Sequence, residues 1–193
     1  MREISKTGFW DGETAHHHHV HSEKLSEWIC NFIEKKEQIS MVDYGCGLGQ
    51  YCKDINDYVG NWVYILGVEG NKPKQAVYDN IVEKDLTTIL EGFKLYQCDL
   101  AISLEVGEHI PKEHMATYLD NITKHTEEYL ITSWAVRGQD GFGHVNCLDN
   151  HEILPEFEKR GFVLMEKETE QARSVIEDKC WWFRNTLFVL KRI

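Results

Sequence analysis

At 193 residues the chain is long enough for one domain with a substantial core, and its 42% hydrophobic content means it should fold. Its formal net charge is −11, from 32 acidic and 21 basic residues. That argues against a duplex nucleic-acid backbone as partner, because phosphate binding needs a basic face. No apolar run approaches the roughly 20 residues that span a bilayer, and the start MREISKTGFWDGE lacks a signal core. Six cysteines with no C-x-x-C pair fit a reduced, cytoplasmic protein.

Residues 1–22 read as an irregular N-terminal segment with Gly8, Gly12 and histidines at 16, 17, 18, 19 and 21. Leu25, Trp28, Ile29, Phe32 and Ile33 then share one face of a helix started by Ser22. Ile39–Asp43 reads as the first strand, and a helix after Gly49 carries Tyr51 to Tyr58. Trp62–Val68 is a second strand, and Ala76–Val82 covers a crossover and a third. Leu100–Leu104 is the fourth. Pro111 suits a helix N1 position, with Met115, Tyr118, Leu119 and Ile122 as the buried stripe. Tyr129–Trp134 is the fifth strand, and His151–Arg160 is a helix closed by Gly161. Phe162–Met165 and Trp182–Leu190 read as the last strands, with Trp181-Trp182 as core of the final one. Strands alternating with helices imply an α/β fold, a mostly parallel sheet covered on both faces. The modest connection Glu166–Cys180 leaves the last strand free to run antiparallel.

The first strand runs into Asp43-Tyr44-Gly45-Cys46-Gly47-Leu48-Gly49-Gln50. Alternate glycines let the backbone turn from strand to helix and let a ligand lie against bare main chain. A dinucleotide loop, G-x-G-x-x-G, would place its third glycine where Gln50 stands. Glu69, 24 residues after Gly45, is placed to accept hydrogen bonds from both hydroxyls of a ribose and to repel a 2′-phosphate. Asp85 is placed for an adenine edge, and Glu105 closes the fourth strand. One such acid alone is more often a solvated surface charge. Four of them at the carboxyl ends of successive strands mark the crevice where open α/β sheets bind ligands.

The segments Asp43–Gly49, Gly67–Asn71, Lys84–Thr87 and Ser103–Pro111 resemble four successive motifs of the Rossmann-like (class I) S-adenosylmethionine (SAM) methyltransferases, with Ser133-Trp134 as a fifth element. The resemblance implies a single domain with a seven-stranded sheet in the order 3-2-1-4-5-7-6, the seventh strand antiparallel. It implies SAM as cofactor and S-adenosylhomocysteine as product. Asp43, Gly45, Gly47 and Gly49 would hold the methionine end, with Gln50 beside them. Glu69, Gly70 and Asn71 would take the ribose, Asp85 and Leu86 the adenine, and Glu105 would border the reacting end. Many relatives carry Asp where this chain has Glu69.

The segment Ser133–Asn146 follows the fifth strand and is rich in glycine. It reads as a lid that Gly138, Gly141 and Gly143 let close, carrying His144 as general base and Asn146 to orient acceptor or ring. His109 and Glu105 are further catalytic candidates. Glu105, Glu108, His109 and His144 have metal-ligand chemistry, but the reading adopted is that no metal is bound. The histidine run cannot converge on one ion, since four consecutive residues point in different directions. It reads equally as a polar segment or as a cover that brings Trp10 and one or two histidines near substrate.

These readings converge on methyl transfer to a hydroxyl of a small molecule, sugar or glycan, with no membrane partner and with nucleic acid disfavoured. The alternatives are a methyltransferase acting on protein or nucleic acid, or a non-catalytic SAM-binding subunit. The absence of an Asn-Pro-Pro-Tyr-like motif after the fourth strand argues against methylation of amino groups on DNA bases or glutamine. Oligomeric state is left open.

Overall fold

A computed structural model describes residues 5–10, 19–34, 39–60, 63–91 and 97–193. In chain order the elements are α1 (Glu23–Ile33), β1 (Ile39–Tyr44), α2 (Gln50–Val59), β2 (Val63–Glu69), β3 (Ile81–Glu83), β4 (Cys98–Ser103), α3 (Met115–Lys124), β5 (Thr126–Ser133), α4 (Asn150–Glu158), β6 (Phe162–Leu164), α5 (Glu166–Ser174), α6 (Phe183–Thr186) and β7 (Leu187–Arg192). The sheet runs β3-β2-β1-β4-β5-β7-β6. Pairs from β3 to β5 are parallel, and β7 is antiparallel to both β5 and β6. This is the order and the strand reversal that the sequence motifs implied.

Alternate strand residues serve two cores, which is why the central strands read as continuous apolar runs. Met41, Ile65, Leu100, Ile102 and Ile131 pack with Leu25 and Ile29 of α1 and with Cys52 and Ile55 of α2. Val42, Tyr44, Leu66, Ala101 and Leu130 pack with Tyr118, Leu119 and Ile122 of α3 and with Ile153 and Phe157 of α4. Ser22 caps α1, its Oγ accepting the Leu25 N–H at 3.1 Å. All six cysteines are free, and all but Cys147 are buried. Among the described residues no helix is long and apolar enough to cross a membrane.

Three local readings change. Pro111 precedes a 3-10 turn, Lys112–His114, and α3 begins only at Met115, which is half-buried. The connection Glu166–Cys180 holds α5, whose only buried residues are Thr169 and Ala172, so it carried no apolar stripe to betray it. The last strand starts at Leu187, opposite Ser133, where β5 ends. Before that point there is no partner strand. The Arg184 guanidinium instead holds the Ile176 carbonyl, through Nη2 at 2.8 Å and Nε at 3.2 Å, while the backbone coils into α6. Trp181 and Trp182 therefore lie outside β7.

Candidate active site

The turn after β1 is built on left-handed glycines. Gly45 has φ 77° and Gly47 φ 55°, a region that side chains resist. A Cβ on Gly45 would lie 2.4 Å from Val106, and one on Gly47 would lie 1.9 Å from the His19 ring. The Gly45 and Cys46 N–H groups donate to the Val68 carbonyl at 2.7 and 3.1 Å, tying the loop to the end of β2. Glu69 sits beside this tie. Its Oε2 accepts the Gly47 N–H at 2.8 Å, and its Oε1 accepts those of Gly70 at 2.8 Å and Asn71 at 3.4 Å. Burial pushes the Glu69 pKa up, and the three N–H bonds pull it back. Asp43 is 3% exposed, 3.6 Å from the Cys52 thiol, and burial pushes its carboxyl up to about 7. Asp85 Oδ1 accepts from the Thr87 N–H and Oγ1 at 2.8 and 2.7 Å, fixing the turn after β3.

A cavity of about 340 Å³ runs along these carboxyl ends from Asp85 and Leu86, past Glu69 and the glycine loop, to Glu105 and His144. Asp43, Gly45, Gly47, Gln50 and Gly70 also line it. Gly49 and Asn71 do not. Gly49 caps α2 and faces Tyr78 and Ile81, and the Asn71 side chain donates to the Trp10 carbonyl at 3.0 Å. The wall carries Asp43, Glu69, Asp85, Glu105 and Asp140 but, among the described residues, no Lys or Arg.

The N-terminal segment closes one side of the cavity. Gly8 packs on the His109 carbonyl and Phe9 on Gly70. The Trp10 ring lies 5.4 Å from that of His19 and 5.0 Å from that of His109. His19 Nδ1 accepts the Leu48 N–H at 3.3 Å. His21 points elsewhere, to Ser26 and Asp54, and the expectations for His16, His17 and His18 fall outside the described residues. Trp181, Trp182 and Phe183 complete the wall. The sequence pattern places the two tryptophans in the last strand, whereas they precede it. The sequence reading nevertheless names the region near 170–182 as a source of substrate contacts, and two adjacent tryptophans cannot both point into a core from a strand.

At the β4 end, Glu105 has φ 54°, the only positive value at a non-glycine among the described residues. Its N–H donates to Ser133 Oγ at 2.7 Å, while its carboxylate accepts from Ser133 Oγ at 2.8 Å and from Gln139 Nε2 at 3.0 Å. The strained backbone is thus held from β5 and from the following loop. A 3-10 turn, Gly107–His109, then drops Glu108 beneath the cleft. Glu108 is fully buried, with no well-formed hydrogen bond to either carboxylate oxygen and with the Glu105 carboxyl and the Ala135 N–H as polar neighbours. Burial, then the neighbouring Glu105 charge, push its pKa well up. His109 Nδ1 lies 3.2 Å from the Gly143 carbonyl, and burial pulls its pKa down to about 4. His144 Nδ1 lies 3.1 Å from the Gln139 carbonyl. The two rings are 5.0 Å apart at 71°.

The loop after β5 is not hung free as a lid. Its Val145 and Asn146 N–H groups both donate to the Glu108 carbonyl at 2.9 Å, and Trp134 Nε1 donates to the Asn146 carbonyl at 2.7 Å. Asn146 is 5% exposed and off the cavity wall, so it does not face an acceptor. Gly141 serves the close approach of the His144 ring, which a Cβ there would meet at 2.1 Å.

No protein-family model matches the sequence, and no curated protein sequence does. Solved structures do match. Magnesium protoporphyrin IX methyltransferase (ChlM) from Synechocystis PCC 6803, crystallised with S-adenosylhomocysteine, superposes with a TM-score of 0.61 at 14% identity, over 87% of this chain and 82% of that one. The sugar N-methyltransferase KedS8 from Streptoalloteichus sp. ATCC 53650 gives 0.62 at 12% identity, over 88% and 87%. The small RNA methyltransferase HEN1 gives 0.62 at 15% identity, over 88% of this chain and 25% of that one. The chain has the Rossmann-like fold of the class I methyltransferases. In that fold the cavity occupies the position where strand order reverses, between β1 and β4.

Proposed function

We propose that the protein is a SAM-dependent methyltransferase that methylates a hydroxyl of a small molecule or sugar. One observation carries the cofactor class: a cleft rich in carboxylates with no Lys or Arg on its wall. A pyrophosphate-bearing dinucleotide would find no cationic side chain there among the described residues, whereas a sulfonium and an ammonium group are complemented. The residues fit this cofactor. Glu69 spends three acceptor positions on backbone N–H groups, and a carboxylate has about four. A position therefore remains for ribose hydroxyls, and the loop arrives already ordered. Asp43, Gly45, Gly47 and Gln50 would hold the amino-acid end, and Asp85 and Leu86 the base. SAM would supply an electrophilic methyl group.

The rest of the chemistry belongs to this chain. Catalysis comes mainly from holding the two reactants in line. The aromatic faces of Trp10, Phe142, Trp181 and Trp182 at the cavity wall suit a sugar or a flat ring. His144 is the base: a carbonyl can only accept, so its Nδ1 carries the proton and Nε2 offers a lone pair. His109 has the same tautomer but is buried deeper, and Glu105 is committed to Ser133 and Gln139. The whole chain acts as one unit, with residues 5–10 and 19–21 as the cover. The test is a panel of sugars, phenols, tRNA and DNA with methyl-labelled SAM. The expected result is transfer to a hydroxyl compound. Transfer to RNA or DNA alone at physiological salt would move the acceptor to the class of HEN1.

A further inference from the structure

We infer that Glu108, His109 and His144 form a divalent-cation site at the reacting end of the cleft. One ligand atom from each lies within 4.8 Å of the others. Two donors about 2.1 Å from one ion are at most about 4.2 Å apart, so side-chain shifts of a few tenths of an ångström complete the set. The tautomers are already those of metal ligands. Gly143 and Gln139 carbonyls hold the two Nδ1–H groups, which leaves both Nε2 lone pairs available. An outer bond of this kind is what orients a ligating imidazole.

Glu108 supplies an independent observation. Its carboxyl is completely buried, and no well-formed hydrogen bond reaches either oxygen, the Glu105 carboxyl and the Ala135 and Glu108 N–H groups being its polar neighbours. Buried polar atoms are rarely left so, because the cost is high unless a partner arrives. The Glu108 main chain is well occupied, its carbonyl taking the Val145 and Asn146 N–H groups, so backbone and loop are fixed while the side chain waits. Two imidazoles and one carboxylate suit Mn, Fe, Co or Zn better than Ca or Mg, which prefer all-oxygen sets.

The role of such an ion rests on the methyltransferase reading: it would hold an acceptor offering two adjacent oxygens, as in a diol. A metal-bound Nε2 cannot also take a proton, so in the loaded enzyme His144 is a ligand rather than the base. The existence of the site does not depend on that role.

The experiment is a cobalt(II) titration of the metal-free protein, read by visible ligand-field absorption and by calorimetry. The background carries His16→Ala, His17→Ala and His18→Ala, so that the histidine run cannot compete. The expected result is one cobalt per chain. Binding should weaken more than about 100-fold in Glu108→Gln and in His144→Ala, beyond the 10–100-fold typical of outer-partner losses. His151→Ala, at an exposed position of α4, should leave it unchanged. No stoichiometric uptake, or uptake that survives both Glu108→Gln and His144→Ala, overturns the proposal. S-adenosylhomocysteine affinity is measured separately on the same samples. Its retention without cobalt uptake sinks the metal site alone. Cobalt uptake without it upholds the site and sinks the cofactor reading.

Discussion

At the β1–β2 end of the cleft, Glu69 receives three backbone N–H groups; beneath the β4–β5 end, Glu108 receives no well-formed hydrogen bond. Both acids are raised in pKa by burial. The first half satisfies itself before any ligand arrives, as a binding platform should. The second keeps lone pairs on Glu108, His109 and His144 unspent, as a reacting centre does. On the proposed reading the difference separates a part of the cleft that would position the cofactor from a part that would react, and substitutions should divide along it.

The largest expected effect lies in the reacting half. In protein kept free of divalent cations, where His144 acts as base, His144→Ala should lower turnover by about 10²–10⁴, while SAM affinity, measured by calorimetry, stays nearly unchanged. Lost SAM binding with an intact fold would instead place His144 in the platform. Next comes the platform itself. Glu69→Ala removes charge-assisted bonds worth about 1.5–3 kcal/mol each, so S-adenosylhomocysteine should bind more than about 100-fold weaker. Glu69→Asp should recover part of the loss, and a variant that binds normally would break the comparison at its base.

The buried acids also set a pH dependence. Asp43 ionises near 7 in the folded chain against an ordinary value of 3.8. Between those values the folded state keeps a proton that the unfolded state has released, so stability falls as pH rises through that window. At about 1.4 kcal/mol per pH unit, the ceiling is about 4 kcal/mol. Glu69, Glu105 and Glu108 are shifted in the same direction. Urea midpoints of the ligand-free protein should therefore be higher at pH 5 than at pH 8, and Asp43→Asn should reduce that difference. A midpoint that rises with pH would contradict the burial assigned to these groups. The smallest effect is at the mouth. Trp181 is 60% exposed, so Trp181→Ala should change stability by less than about 0.5 kcal/mol and raise KM for the acceptor alone.

The sequence exposed the platform because its determinants are local. A strand, an acid and alternate glycines fall within Asp43–Gly49, and Glu69 follows at the end of the next strand. The sheet order came with those motifs. The reacting half was less legible, because Glu108, His109 and His144 meet only through a 3-10 turn and a loop folded back on the Glu108 carbonyl. A glycine-rich loop read as a free lid is in fact pinned, and Gly141 makes room for a ring rather than for movement. Trp181 and Trp182 were misplaced because β7 can start only where β5 provides a partner, a fact of pairing that no local pattern carries.

The central claim is that this acidic cleft, whose described wall residues include no Lys or Arg, takes a sulfonium cofactor. Calorimetry of the same sample with SAM and with NAD tests it most directly. The account predicts one saturable SAM site per chain and no measurable NAD binding. Tight NAD binding with no response to SAM would contradict it.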